Sequence, residues 1–118
     1  MAAEYLMVMI GGSVGAMCRY AISIQMKRIL STDYPMATFL INLSGSFLLG
    51  LLLGSQADSM IRLMLGTGFL GGYTTFSTFQ VENVTLFRQG NYGTLLIYTV
   101  LSTGLGIALA WLGFRIAC

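Results

Sequence analysis

Gly66-Thr67-Gly68-Phe69-Leu70-Gly71-Gly72-Tyr73-Thr74-Thr75-Phe76-Ser77-Thr78-Phe79 lies within a run of 19 residues, 63–81, that carries no charge. Its apolar length suits a membrane-crossing helix, since about 20 residues span a hydrocarbon core of roughly 30 Å. Its composition opposes an unbroken one. Paired glycines followed by hydroxyl-bearing and β-branched residues are weak helix formers, so a break is expected around Gly71–Thr75. A break frees backbone amides and carbonyls at bilayer depth, where only protein or an ion can satisfy them. Freed carbonyls at the negative end of a half-helix suit a small cation, and two copies meeting there antiparallel would double the ligand count. The plainer alternative is a kink satisfied by the Thr hydroxyls.

The rest of the chain repeats the apolar theme. Residues 34–57 form a charge-free stretch of 24 and residues 89–114 one of 26, while Arg19 alone interrupts the apolar segment from Tyr5 to Ile24. Of the 118 residues 56% are hydrophobic and 8% charged, with a mean hydropathy of +0.80. That is too little charge to cover a soluble domain of this size. The expectation is an all-α membrane protein, a single domain over residues 1–118 made of four transmembrane helices, the third broken near its middle. The first segment opens with Glu4 and has no basic n-region, so it reads as a retained helix rather than a signal peptide. Cys18 within a span and Cys118 in the tail suggest a small buried hydrophobe and a tail thiol. The chain contains no histidine, which makes a zinc or haem site unexpected. No nucleophile with a base, paired acid and base, or nucleotide loop is found, so no enzyme and no nucleic-acid partner is expected.

Four spans place Glu4, Asp58, Arg62 and Arg115 on one side and Lys27, Arg28, Asp33 and Arg88 on the other. Lys and Arg alone count 2 against 3. So small a bias leaves two arrangements open: one weakly preferred orientation, or dual topology with copies inserted both ways and paired antiparallel.

Helix faces supply the candidate residues. Gly11 with Gly15, Gly12 with Ala16, the series Ser46-Gly50-Gly54 and the series Ser102-Gly106-Ala110 have the four-residue spacing of closely packed helices. Thr38, Asn42 and Ser46 share one face of the second span. The Asn42 amide needs partners in lipid, either another helix or an anion. Phe76 and Phe79, three apart, are core by default, yet their electropositive ring edges could line an anion path. Glu82 follows one turn on, an acidic group at or near membrane depth. Tyr98 and Ser102 offer hydroxyls on one face of the last span. Arg19 is assigned a structural role.

Gly11-Gly12-Ser13-Val14-Gly15-Ala16-Met17-Cys18-Arg19-Tyr20, Asn42-Leu43-Ser44-Gly45-Ser46-Phe47-Leu48-Leu49-Gly50 and Gly71-Gly72-Tyr73-Thr74-Thr75-Phe76-Ser77-Thr78-Phe79 together resemble the bacterial fluoride-channel family (Fluc, also called CrcB), in order and over essentially the whole length. The resemblance implies an antiparallel dual-topology homodimer in the bacterial inner membrane, multi-pass, exporting fluoride passively through two pores. It implies Asn42 as the pore-facing amide and Phe76 and Phe79 as pore phenylalanines. It implies Thr38, Tyr98, Ser102 and Glu82 along the polar track and vestibule. It also implies a central structural sodium ion held by the backbone carbonyls of Gly71 and Thr74 from each copy. Gly106 stands where some relatives carry a hydroxyl residue. Neutral donors suit fluoride, because a pore must replace its hydration shell yet release it.

The rival reading is a small dual-topology multidrug or cation–proton antiporter, which would need a carboxylate embedded in the first span; only Glu4, at its mouth, is present. A non-transporting subunit would leave the broken span and the amide without a purpose. Dual topology predicts that labels on the termini are reached from both membrane faces; labelling from one face only would defeat it.

Overall fold

The computed structural model describes residues 2–29 and 35–118, and every regular element among them is helical. Asp33, counted above among the charges of the first connection, lies outside the described residues. Helix α1 spans Ala2–Ile29, with Glu4 in its first turn and Lys27 and Arg28 in its last. Those charges complement the helix dipole at both ends. Helix α2 spans Met36–Gly54 and starts directly after Pro35, whose φ of −75° already suits a helix entry. A turn through Gln56, at φ 56°, leads to the short α3, Ser59–Ile61.

The stretch from Ser59 to Arg88 is not one helix. From α3 the backbone widens into π-helical turns over Arg62–Leu70, then returns to α-helix for α4, Gly71–Tyr73. Thr74 is extended, at φ −80° and ψ 159°, and helix resumes at α5, Ser77–Arg88. The π-helical turns have no counterpart in the sequence reading. The glycine pair itself is still helical, within α4, so the interruption falls on residues 74–76. Helix α5 closes in a Schellman motif around Gly90, at φ 74°, with Gly90 N–H donating to Phe87 C=O at 3.1 Å and Asn91 N–H to Leu86 C=O at 3.0 Å. Helix α6 spans Tyr92–Ala117. Helices α1, α2 and α6 are each long and apolar enough to cross a membrane.

The glycine spacing becomes backbone contact in two places. A Cβ on Gly11 or Gly15 would strike the carbonyl of Met64 or Phe69, and one on Gly72 the carbonyl of Gly12. This seats α1 on the π-helical segment and α4. A Cβ on Gly50 would strike the Ala110 carbonyl, and one on Gly113 the Phe47 carbonyl, which seats α2 on α6. Between the two couples lies a core of Ile41, Leu70 and Tyr73, packed by Cys18, Ile22 and Phe69. Both cysteines are free. Outside, large apolar side chains such as Met9, Tyr20, Ile107 and Trp111 are exposed. That exterior suits lipid or another copy rather than water.

Gly50→Val tests the second couple. The obstacle is helix backbone, which cannot rotate aside, so α2 and α6 must separate. A loss of about 1–3 kcal/mol is expected for such overpacking, read as a lower unfolding midpoint in detergent. An unchanged midpoint would refute the contact.

Candidate functional site at the helix break

Breaking the helix after Tyr73 strands peptide groups that the next turn would have paired, and α2 takes them up. Asn42 Oδ1 accepts from Thr75 N–H at 2.9 Å, and Asn42 Nδ2 donates to Thr75 C=O, also at 2.9 Å. The amide thus stands in for a peptide group, one acceptor and one donor in a plane. Of the two partners the sequence left open for Asn42, the structure supplies the helix. One Nδ2 hydrogen remains for whatever enters the space beside it.

Hydroxyls close the two helix ends. Thr74 Oγ1 donates to Leu70 C=O at 2.8 Å, beside the Thr74 N–H bond to the same oxygen at 2.9 Å. Thr75 Oγ1 accepts from Thr78 N–H at 3.2 Å and so pairs an orphan donor at the start of α5. On the opposite side Arg19 Nε donates to Gly72 C=O at 3.2 Å, anchoring α1 to α4. The Gly71 and Thr74 carbonyls accept no hydrogen bond among the described residues. Thr75 N–H, the helical partner Gly71 would have had, is held by Asn42 instead.

These groups border a cleft of about 410 Å³, whose lining includes Asn42, Ser46, Gly71, Thr74, Phe76 and Ser102. Ser102 Oγ is buried and has no hydrogen-bond partner among the described residues. A buried hydroxyl without a partner costs about 1–3 kcal/mol. Phe76 is 71% exposed and leans on Phe79, ring centroids 6.1 Å apart. Phe79 in turn meets the fully buried Tyr98 ring at 5.0 Å. Tyr98 Oη donates to Glu82 Oε1 at 3.1 Å, and the buried Thr38 side chain also hydrogen-bonds to that carboxylate.

The sequence-predicted residues therefore fall into three groups. Asn42, Phe76, Phe79 and Ser102 line the cleft with Gly71 and Thr74. Thr38, Tyr98 and Glu82 form a hydrogen-bonded cluster reached from the cleft through Phe79. Arg19 lies behind the break. Gly106 lies on the wall of α6 facing α2, where a Cβ would be 3.5 Å from Ser46 Oγ. Sequence reasoning missed Thr103 as a lining residue and the Thr75 backbone as the partner of Asn42. Neither has a periodic signal, since each depends on how two helices meet.

An all-helical chain with an apolar exterior, whose polar groups converge on one cleft of neutral donors, carbonyls and rings, is a small integral membrane protein. It belongs to the CrcB family: the family model described as CrcB-like protein, Camphor Resistance (CrcB), matches residues 6–114. It is similar to the fluoride-specific ion channel FluC 1 of Listeria innocua, 48% identical over 113 residues covering 96% of each chain. It is similar also to FluC 2 of Bacillus thuringiensis, 46% identical with the same coverage, and to FluC 1 of Listeria monocytogenes, 46% identical over 98% of each chain. These relatives are named as ion channels, not as enzymes.

Asn42→Leu keeps volume but leaves both Thr75 backbone groups unpaired. A penalty of about 1–3 kcal/mol is expected for each unsatisfied group. It should be read as a lowered unfolding midpoint with faster amide exchange at Thr75, and protection equal to that of the parent protein would contradict the clamp.

Proposed function

We propose that this protein is a fluoride-selective channel through which fluoride leaves the cell down its gradient, protecting the cytoplasm from the ion. The chain would cross the bacterial inner membrane four times, its third crossing interrupted at residues 74–76. Two copies would assemble antiparallel, inserted in opposite senses, to make two pores. The observation that carries the reading is the Ser102 hydroxyl, without a hydrogen-bond partner among the described residues, on a cleft whose lining combines the Asn42 amide, hydroxyls and aromatic rings with Leu49, Leu70 and glycine. The names of the relatives point the same way.

Fluoride is small and strongly hydrated, so entry requires hydrogen-bond donors in place of water, and exit requires that they bind weakly. The cleft lining includes no Lys or Arg, either of which would hold the ion. Ser102 supplies a hydroxyl, Asn42 its spare amide hydrogen, and Phe76 and Phe79 the positive edges of their rings. Thr38, Tyr98 and Glu82 order the vestibule beyond Phe79. Phe76 is so exposed on one copy that its natural cover is the second copy, which would close the pore wall.

The break also fits a structural sodium ion. Gly71 and Thr74 present two uncharged carbonyl oxygens without hydrogen-bond partners among the described residues, the hard donors such a cation prefers, and the inverted second copy would supply two more. When bound, sodium would offset the carbonyl dipoles facing one another where the two breaks meet. The residues of this chain hold those oxygens in place; they do not move the cation.

Purified protein in liposomes should release fluoride and retain chloride. Proton-coupled drug uptake would instead favour the antiporter, and neither activity a non-transporting subunit. Phe76→Ile should slow fluoride release by about tenfold or more, a barrier increase of about 1.4 kcal/mol, with the dimer still assembled. Undiminished release would remove Phe76 from the pore.

A further inference from the structure

We infer that Ser44 and Tyr73 are positioning residues for the carbonyl site at the break, a role distinct from lining the cleft. The inference rests on the sodium reading above. Tyr73 is the last residue of α4 and immediately precedes extended Thr74. Its hydroxyl lies 2.9 Å from Ser44 Oγ. The direction of that bond follows from the other bond Ser44 makes: Ser44 Oγ donates to Ile41 C=O at 3.0 Å, which uses its only proton. Tyr73 Oη is therefore the donor, and Ser44 the acceptor.

The Tyr73 ring cannot readily swing away from this bond. It is 8% exposed, stacked on Phe69 with centroids 5.8 Å apart and planes within 13°, and packed with Ile41 and Leu70. A rigid phenol bonded at its tip to α2 fixes the rotation of the residue that separates Gly71 and Gly72 from Thr74. One helical step along α2, Gly45 receives the Thr74 side chain so closely that a Cβ there would overlap Thr74 Cγ2. Asn42 holds Thr75. Asn42, Ser44 and Gly45 of α2 thus touch Thr75, Tyr73 and Thr74 respectively, and in the chain Tyr73 stands between the Gly71 and Thr74 carbonyls. That arrangement orients first-contact oxygens through their neighbours, an effect typically worth about 10–100-fold in metal affinity.

The test is a sodium titration of thermal unfolding on the purified protein, with N-methylglucamine chloride holding ionic strength constant. The variants are Tyr73→Phe, which keeps the stacked ring, and Ser44→Ala. The parent protein should be stabilised by sodium, and each variant should need about tenfold more sodium or greater for half the stabilisation. Ser44→Thr, which restores the hydroxyl, should return the midpoint toward that of the parent. Variants that lose the same stability at every sodium concentration, with an unmoved midpoint, would make the bond structural only and overturn the inference. Loss of assembly by both variants at saturating sodium would overturn it too. A parent protein indifferent to sodium would overturn the sodium reading itself and this role with it.

Discussion

The pair of hydrogen bonds between the Asn42 amide and the backbone of Thr75 is the constraint on which the rest depends. A helix interrupted in an apolar surrounding exposes peptide groups that water cannot reach, and each costs several kcal/mol if left alone. Asparagine is suited to the task because its amide has the geometry of a peptide group. A carboxylate could serve only the N–H, and an apolar side chain neither group. With Thr75 secured, Phe76 is carried out of the packed interior and the Gly71 and Thr74 carbonyls are left without helical partners.

That clamp works only because α2 is held at the right height and distance. The glycine contacts of α2 with α6, and of α1 with α4 and the π-helical turns, bring backbones together where side chains would otherwise hold them apart. In lipid, where apolar surfaces gain little by meeting one another, such close approach and the hydrogen bonds it permits are the main sources of association. The same approach brings Ser102 and Thr103 of α6 to the cleft opposite the break. Packing and site are thus consequences of one set of small residues.

The electrostatic character follows from what was kept out. Six of the chain's residues are Lys or Arg, and the cleft lining contains none. Arg19, the cation that lies deepest in a long apolar helix, is turned to the far side of the break and spends a donor on Gly72. The acidic Glu82 is occupied by Tyr98 and Thr38. The cleft lining combines amide, hydroxyl and aromatic groups with leucine and glycine, and none of its residues carries a charge. Such a lining can exchange hydrogen bonds with a small anion without the deep well that a full charge would make.

Helical class and membrane character were legible in the sequence, because charge-free runs and hydropathy are properties of local composition. Asn42, Phe76, Phe79 and Ser102 drew notice because amides, rings and hydroxyls stand out in apolar segments and the three motifs resemble one family; the structure sets the four along one cleft. The position of the interruption was legible only to within a few residues: paired glycines predict weakness, yet Gly71 and Gly72 remain helical and the chain leaves the helix at Thr74, whose neighbour Thr75 is held by Asn42 of another helix. That Asn42 takes Thr75, that Tyr73 reaches Ser44, and that Ser102 is left without a partner belonged to the tertiary structure alone. Each is a meeting of atoms distant in the chain, set by how closely glycine lets two helices approach, and no periodicity within either helix encodes it.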